Sequence, residues 1–207
     1  MPVVVCFGDS NTWGSDPATR NRYGPGIRWT GVLRQQLGAG YTVIEEGLNG
    51  RTTNLDDVIE ENRNGRSYLP GCLESHRPFD LITIMLGTND LKARFNRGAS
   101  DIAISAATLG MLALKSGCGI DGQAPRVLLI APPPVIEVAG FDGMLAGAAQ
   151  KSQEFAGRYR FFAGRYGLHF MDAGAVVKSS PTDGVHLEAE EHAKLGKAVA
   201  SRILEIL

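Results

Sequence analysis

The feature that most constrains the fold of this chain is a series of five short apolar runs, each followed by a turn. The runs comprise residues 3–7, 41–48, 80–86, 126–131 and 168–172. Continuous runs rich in branched side chains are typical of strands that are buried on both faces of a sheet. Segments with helical spacing separate the runs. This alternation predicts a parallel sheet covered by helices on both faces, because each crossover packs back onto the sheet in the right-handed sense.

Four longer segments carry apolar residues at helical spacing and so predict amphipathic helices. They are residues 28–37, 101–115, 148–166 and 188–207. Gly38 provides a glycine stop for the first of them. We also predict that the charged stretch 56–67 is irregular or loosely helical, and that Pro70 opens a short helix ending at His76. There is no internal repeat or linker, so we expect a single domain over residues 1–207.

Ser10 stands in the turn after the first strand, where Gly8 permits a tight backbone bend and small polar residues favour a helix N-cap. Ligands of parallel sheets bind beyond the carboxyl ends of the strands. A serine at this edge lies near unpaired backbone N–H groups and the positive end of a helix dipole, which stabilise an oxyanion. We therefore predict that Ser10 is a nucleophile. These residues alone also fit a simple polar turn with a helix cap.

His186 is the histidine best placed to activate this serine. It lies in a turn between the last strand and the last helix, at the edge expected for Ser10. Asp183, three residues earlier, can fold back to the imidazole Nδ1–H and fix its tautomer. The segment alone fits an Asp-Gly turn with an incidental histidine equally well, but its combination with Ser10 favours a triad. We expect surface or packing roles for the other histidines, which are His76, His169 and His192.

Acyl transfer also requires donors aimed at the tetrahedral oxyanion. Three groups that follow strands can supply them: the backbone N–H groups of Ser10 and Gly50 and the side-chain amide of Asn89. A glycine lets the backbone approach the reacting atoms closely. The amide of Asn89 donates without adding charge, although this asparagine could also be an ordinary turn residue. We predict an oxyanion hole formed by Ser10, Gly50 and Asn89.

Composition narrows the classes of partner. The chain has 207 residues, of which 43% are hydrophobic and 21% charged, and its formal net charge is −1 with scattered basic residues. We therefore expect no nucleic-acid and no membrane partner. The chain enters its first strand directly and has no apolar run long enough to span a bilayer, so we expect a cytoplasmic protein. Three widely spaced cysteines predict free thiols rather than a disulfide framework or a metal site.

Two further stretches and two tryptophans bear on the substrate. Residues 15–26 are polar and predict a surface loop beside Ser10. Residues 132–141 begin with three prolines and are too apolar for an exposed loop, so we expect them to cover a pocket or another subunit of a homo-oligomer. Trp13 and Trp29 would offer aromatic surface to an ester, and we select Trp13 as substrate-binding, although either tryptophan could belong to the core.

Four ordered motifs resemble the sequence blocks of a known superfamily, the SGNH or GDSL-type esterases and lipases. They are Gly8-Asp9-Ser10, Gly50, Gly87-Thr88-Asn89-Asp90 and Asp183-Gly184-Val185-His186. The resemblance implies a flavodoxin-like three-layer α/β/α sandwich with a five-stranded parallel sheet. It implies that Ser10 is the nucleophile, His186 the general base and acid and Asp183 its partner, and that no metal or cofactor is used.

Further residues are similar to the arylesterase/acyltransferase branch of this superfamily, notably those in segments 28–33, 45–48, 51–54 and 84–90. One departure is Asn11, which replaces the leucine that often follows the serine. We therefore predict a serine ester hydrolase that cleaves short-chain acyl esters through a Ser10 acyl-enzyme and passes the acyl group to water or to an alcohol acceptor. The alternatives are O-deacetylation of a carbohydrate, as of an acetyl-xylan, and a non-catalytic α/β module that binds a small ligand.

Overall fold

The computed structural model describes residues 1–138 and 143–207, which are organised around one sheet of five parallel strands. The strands are β1 (Val3–Gly8), β2 (Thr42–Gly47), β3 (Leu81–Met85), β4 (Arg126–Ala131) and β5 (His169–Asp172). Their order across the sheet is β2-β1-β3-β4-β5. This is the flavodoxin-like order, so the predicted five-stranded parallel sheet is confirmed.

Helices connect the strands within the described ranges. They are α1 (Ser10–Trp13), α2 (Trp29–Leu37), α3 (Gly65–His76), α4 (Ala99–Leu114), α5 (Ala148–Ser152), α6 (Phe155–Tyr166) and α7 (Ala189–Ile206). Short 3₁₀ turns occur at Gly38–Gly40, Asn89–Leu91, Ala93–Phe95, Ile120–Gly122 and Ala173–Ala175. The helices predicted at residues 28–37, 101–115 and 188–207 are therefore present, with ends shifted by one or two residues.

Side chains of β1 alternate between two hydrophobic cores, one on each face of the sheet. Val4 and Cys6 belong to the core that contains residues of α2 and α7. Val5 and Phe7 belong to the core that contains residues of α3, α4 and α6. The three-layer sandwich is therefore confirmed. Trp29 is fully buried in the first core, so the expectation that it offers aromatic surface to an ester was wrong, and the alternative that it belongs to the core is confirmed.

The prediction that Pro70 opens a short helix was wrong. Helix α3 begins five residues earlier, where the side chain of Asn64 accepts hydrogen bonds from the N–H groups of Arg66 and Ser67. A side-chain cap of this kind satisfies two of the donors that a helix start leaves unpaired. Pro70 lies exposed inside the helix. The local cap, rather than the proline, sets where this helix begins.

The single helix predicted over residues 148–166 is two helices, α5 and α6. The Ser152 hydroxyl at the end of α5 donates to the carbonyl of Ala149 at 2.9 Å and accepts from the N–H of Val135 at 3.0 Å. A serine that bonds back to its own helix tends to bend it, and here the same hydroxyl also holds the segment after β4. This tertiary contact accounts for an interruption that helical periodicity alone does not reveal.

The strand order reverses between β1 and β3, and crevices at such points bind ligands in open α/β sheets. Ser10 follows β1 directly, and Asn89 follows β3. The topology therefore brings these two residues, far apart in sequence, to the same crevice. Across residues 1–138 and 143–207, no helix combines the length and the apolar character needed to cross a membrane.

Candidate active site

Ser10, His186 and Asp183 meet in a continuous line of hydrogen bonds. The Ser10 hydroxyl lies 2.9 Å from His186 Nε2, although 176 residues separate them. On the other side of the ring, His186 Nδ1 lies 2.5 Å from Asp183 Oδ2. The imidazole is thus placed to take a proton from the serine while the carboxylate fixes its tautomer.

The turn that carries His186 is built by Asp183. One of its carboxylate oxygens accepts the N–H groups of Val185 and His186, at 3.0 and 2.9 Å, while the other reaches the imidazole. Gly184 has φ +77°, and a Cβ there would lie 2.2 Å from the carbonyl oxygen of Ile136, so the turn requires glycine. Burial opposes ionisation of Asp183, but the hydrogen bonds from His186 and the turn hold its pKa below the usual value.

Asn11 clamps this turn to the loop that carries the serine. Its side-chain amide donates to the carbonyl of Val185 at 3.2 Å and accepts from the N–H of Leu187 at 3.1 Å. Asn11 is buried, so both bonds are made away from water. The two residues bound by Asn11 flank His186, so the clamp fixes the imidazole relative to Ser10. The sequence marked Asn11 only as a departure from leucine, since nothing local indicates a partner more than 170 residues away.

The three predicted oxyanion donors lie on the loops after β1, β2 and β3. Within the described chain, the backbone N–H groups of Ser10 and Gly50 donate to no other backbone group. Gly50 has φ +76°, and a Cβ there would lie 2.5 Å from a Glu60 carboxylate oxygen, so this loop also requires glycine. The side-chain amide of Asn89 donates to the carbonyl of Arg51 at 3.2 Å, which orients it and leaves its second N–H for another acceptor.

These groups open into a cleft of about 530 Å³. The residues that line it are Ser10, Ser15, Pro17, Ala18, Arg20, Asn49, Gly50, Glu60, Thr88, Asn89, Lys92, Met144, Leu145, Thr182, Asp183, Val185 and His186. The polar loop of residues 15–26 therefore forms part of the wall, as its sequence suggested. Apolar side chains and charged side chains both contribute to this lining.

One wall of the cleft is held by a cluster of charges that sequence reasoning missed. The buried carboxylate of Asp57 contacts Arg94 at 2.5 Å and Lys92 at 3.3 Å. Lys92 also contacts Glu60 at 2.6 Å. Burial of Asp57 is outweighed by the hydrogen bond from Arg94 and its other donors, so the pKa of this carboxyl lies below its usual value. The cluster fixes the segment that presents Glu60 to the cleft.

Trp13 lies half-buried at the end of α1, where the guanidinium carbon of Arg22 is 5.2 Å from its ring centre. It is not among the described residues that line the cleft, so its contact with substrate stays a prediction. The proline-rich segment reaches the site through Ile136, whose N–H donates to the carbonyl of Gly184 at 2.9 Å. Residues 139–142, which include part of that segment, lie outside the described residues.

Two of the remaining histidines have structural partners. His76 Nε2 lies 2.6 Å from a carboxylate oxygen of Glu46, beside Cys72, and these three ligand-type groups lie within 4.8 Å of one another. Glu46 also accepts from the Tyr68 hydroxyl at 3.1 Å, and burial raises the pKa of the Cys72 thiol to about 12. Hydrogen bonding accounts for this cluster. His192 is buried, and its Nδ1 accepts the N–H of Trp29 at 3.3 Å.

Solved structures closely resemble this fold over its whole length. The native aryl esterase of M. smegmatis is 43% identical, with a TM-score of 0.96 and 100% of both chains covered. Est24, a carbohydrate acetylesterase from Sinorhizobium meliloti, is 41% identical, with a TM-score of 0.96 and the same coverage. A member of the lipolytic protein G-D-S-L family from Veillonella parvula is 15% identical with a TM-score of 0.68, which shows the shared fold alone. No curated protein sequence matches the chain.

Family membership follows from a match over most of the sequence. The profile of the GDSL-like lipase/acylhydrolase family matches residues 6–194, a range that contains Ser10, Gly50, Asn89, Asp183 and His186. The match agrees with the parallel sheet and with the esterase structures that share it. The chain therefore belongs to the GDSL-like lipase/acylhydrolase family and is a carboxylic ester hydrolase.

Proposed function

We propose that Ser10, His186 and Asp183 are the catalytic triad of this hydrolase, and that Ser10, Gly50 and Asn89 form its oxyanion hole. The observation that carries the proposal is the line of contacts from Ser10 Oγ to His186 Nε2 at 2.9 Å and from His186 Nδ1 to Asp183 at 2.5 Å. A serine hydroxyl becomes an effective nucleophile only when such a base removes its proton.

In the proposed first step, Ser10 Oγ attacks the acyl carbonyl carbon while His186 Nε2 accepts the hydroxyl proton. The carbonyl oxygen becomes an oxyanion that the N–H groups of Ser10, Gly50 and Asn89 stabilise. The tetrahedral intermediate collapses, the bond to the leaving oxygen breaks, and His186 returns its proton to that oxygen. This leaves an ester of the acyl group on Ser10 and a free alcohol.

In the second step a water molecule repeats the attack. His186 removes a proton from the water as its oxygen bonds to the acyl carbon, and the collapse of the second intermediate returns the proton to Ser10 Oγ and releases a carboxylic acid. An alcohol that occupies the place of the water takes the acyl group by the same route, which is acyltransfer. The first step involves the protein and the ester, and the second involves the acyl-enzyme and the acceptor.

We propose short-chain esters with an aromatic alcohol as the preferred substrates. The aryl esterase at 43% identity supports this choice, and Met144, Leu145 and Pro17 give the cleft an apolar side. The second candidate is deacetylation of a carbohydrate. It is favoured by the polar and charged residues Arg20, Asn49 and Lys92 in the lining of the cleft and by the carbohydrate acetylesterase at 41% identity.

We further propose that the chain acts as a homo-oligomer in the cytoplasm. Val58 and Ile59 are 91% and 71% exposed next to the segment that presents Glu60 to the cleft, and adjacent exposed apolar side chains are typical of subunit contacts. All three cysteines are buried free thiols, as is usual in a reducing compartment. Analytical ultracentrifugation at micromolar concentration tests the homo-oligomer, and a single monomer mass would contradict it.

The test of the proposed function compares wild type with Ser10→Ala on p-nitrophenyl esters from acetate to octanoate, and on an acetylated sugar. We expect hydrolysis of the short aryl esters by wild type and a fall of about three or more orders of magnitude in Ser10→Ala. Turnover of the sugar in preference to the aryl acetate would favour the second candidate. An unchanged rate in Ser10→Ala would refute the triad.

A further inference from the structure

The loops that carry the oxyanion donors are joined by buried hydrogen bonds that the proposed mechanism does not itself use. Arg51 and Thr53 lie just after Gly50 on the loop after β2, and Asp90 lies just after Asn89 on the loop after β3. All three of these partners are almost inaccessible, with exposed fractions of 3%, 0% and 1%. Leaving a polar group buried to this extent without a partner costs free energy, so most such groups are hydrogen-bonded inside the protein.

Arg51 connects the ends of β1 and β2. Its Nη1 donates to the carbonyl of Gly8 at 2.9 Å and to the carbonyl of Glu46. Its guanidinium carbon lies 4.3 Å from the ring centre of Phe7, so the group is also held by an aromatic face. Through its own carbonyl, Arg51 accepts the side-chain amide of Asn89 at 3.2 Å. Arg51, on the loop after β2, thus contacts the ends of β1 and β2 and the loop after β3.

Thr53 and Asp90 connect the loops after β2 and β3. The carboxylate of Asp90 accepts the backbone N–H of Thr53, at 3.0 Å for the nearer oxygen, and also the Thr53 hydroxyl. Asp90 is the neighbour of Asn89 in the same turn, and Thr53 is three residues from Gly50. A shift of either loop would therefore break buried hydrogen bonds as well as change the separation of the two donors.

We propose that Arg51, Thr53 and Asp90 form a brace that positions the oxyanion hole, by fixing the Asn89 donor relative to Ser10 and Gly50. The inference rests on the proposed function, because it assigns these residues a role in the same site. None of the three needs to touch the substrate, so they are positioning residues. Preorganised donors stabilise the transition state well because they do not have to move during the reaction. Small displacements of the donors remove much of this stabilisation.

Thr53→Val tests the brace because it removes one hydroxyl and keeps the shape of the side chain. We expect kcat to fall about tenfold with KM within about twofold of wild type, since the donors act mainly on the transition state. Thr53→Ser, which restores the hydroxyl, is expected to recover kcat to within about twofold of wild type. Thr30→Val is the matched control, because Thr30 is equally buried, lies in α2 and has a hydroxyl with no partner in the described chain.

A double-mutant cycle with Asn89→Ala separates positioning from a purely structural effect. If the brace acts through Asn89, Thr53→Val in the Asn89→Ala background lowers kcat by less than about twofold. Asp90→Asn alters the other partner of the Thr53–Asp90 contact. We expect its effect on kcat to be non-additive with that of Asn89→Ala as well. Assays are made well below the lowest unfolding midpoint, with thermal unfolding recorded for every variant, so that loss of folded protein is not read as loss of rate.

The outcomes distinguish the two proposals. If Ser10→Ala is inactive while Thr53→Val and Asp90→Asn retain wild-type kcat, the brace is refuted and the triad stands. Fully additive losses with Asn89→Ala also refute it, because they show that the contact does not act through the oxyanion donor. If Ser10→Ala retains activity, the proposed function fails, and the brace fails with it.

Discussion

The side-chain oxygen of Asn11 lies 3.1 Å from the N–H of Leu187, a residue 176 positions further along the chain. The same amide group reaches the carbonyl of Val185 at 3.2 Å. The two bonds are therefore made to the residues on either side of His186, and Ser10 directly precedes Asn11 in the chain. Asn11, the residue next to the proposed nucleophile, thus joins the loop that carries Ser10 to the turn that carries His186.

Removal of this clamp is expected to reduce both stability and activity. Asn11→Ala leaves the buried N–H of Leu187 without an acceptor, which costs about 2 kcal/mol of unfolding free energy. We expect kcat/KM to fall about tenfold as well, because His186 loses its fixed distance from Ser10. Urea unfolding and ester hydrolysis measure the two effects. Asn21→Ala, at an exposed position, is the control, and equal behaviour of the two variants would show that the clamp has no role.

Asp183→Asn is expected to lower kcat by about 10⁴-fold while leaving the fold intact. The substituted side chain can still accept the N–H groups of Val185 and His186 through its oxygen. Its amide nitrogen would face His186 Nδ1, which favours the tautomer that has a proton on Nε2 and cannot accept one from Ser10. Steady-state kinetics together with circular dichroism check this. A loss of less than tenfold would show that Asp183 does not orient the base.

Asn89→Ala is expected to affect rate far more than stability. One oxyanion donor contributes on the order of 3 kcal/mol to lowering the barrier, or about a hundredfold in kcat. The bond that is lost on the protein side is a single one to the carbonyl of Arg51. Unfolding free energy is therefore expected to change by less than about 1 kcal/mol. A variant that loses stability but keeps wild-type kcat would exclude Asn89 from the oxyanion hole.

His192 makes the fold sensitive to acid. Its Nδ1 accepts the N–H of Trp29 at the start of α2, which only the neutral ring can do. Burial lowers its pKa from 6.5 to about 4, with smaller contributions from the charges of His186 and Arg28. Between pH 6.5 and about 4, His192 is protonated in the unfolded chain but stays neutral in the folded chain. The stability that depends on the neutral ring is therefore present above pH 6.5 and is lost as the pH falls towards 4.

The test is the difference in unfolding free energy between wild type and His192→Gln at pH 7.5 and pH 5. We expect this difference to shift by about 2 kcal/mol against wild type at the lower pH. Burial raises the pKa of Asp9 to about 6 and that of Asp90 to about 7, so these groups oppose the trend: the stability they add at low pH is lost as the pH rises. Both titrate in each protein and cancel in the difference, and a difference independent of pH would contradict the role of His192.

The strands and the site edge could be predicted from the sequence because their signals are local. The strand over residues 3–7, the bend at Gly8 and the turn around His186 each depend on residues that are close together in the sequence. One helix error arose where local signals compete, and the other where a tertiary contact decides. Pro70 suggested a helix start that the Asn64 cap places earlier, and the break after Ser152 depends on a contact with Val135 that periodicity does not contain.

The sequence by itself determined the succession of strands and helices along the chain, the turns that need glycine, and which residue types could carry out acyl transfer, because these depend on backbone preferences and on side-chain chemistry. Only the tertiary structure decided which of them meet. The clamp of Asn11 on Leu187 and the brace between Thr53 and Asp90 join segments that are distant in the chain. Such contacts arise from the strand order and from the need to satisfy buried polar groups, and neither leaves a local pattern in the sequence.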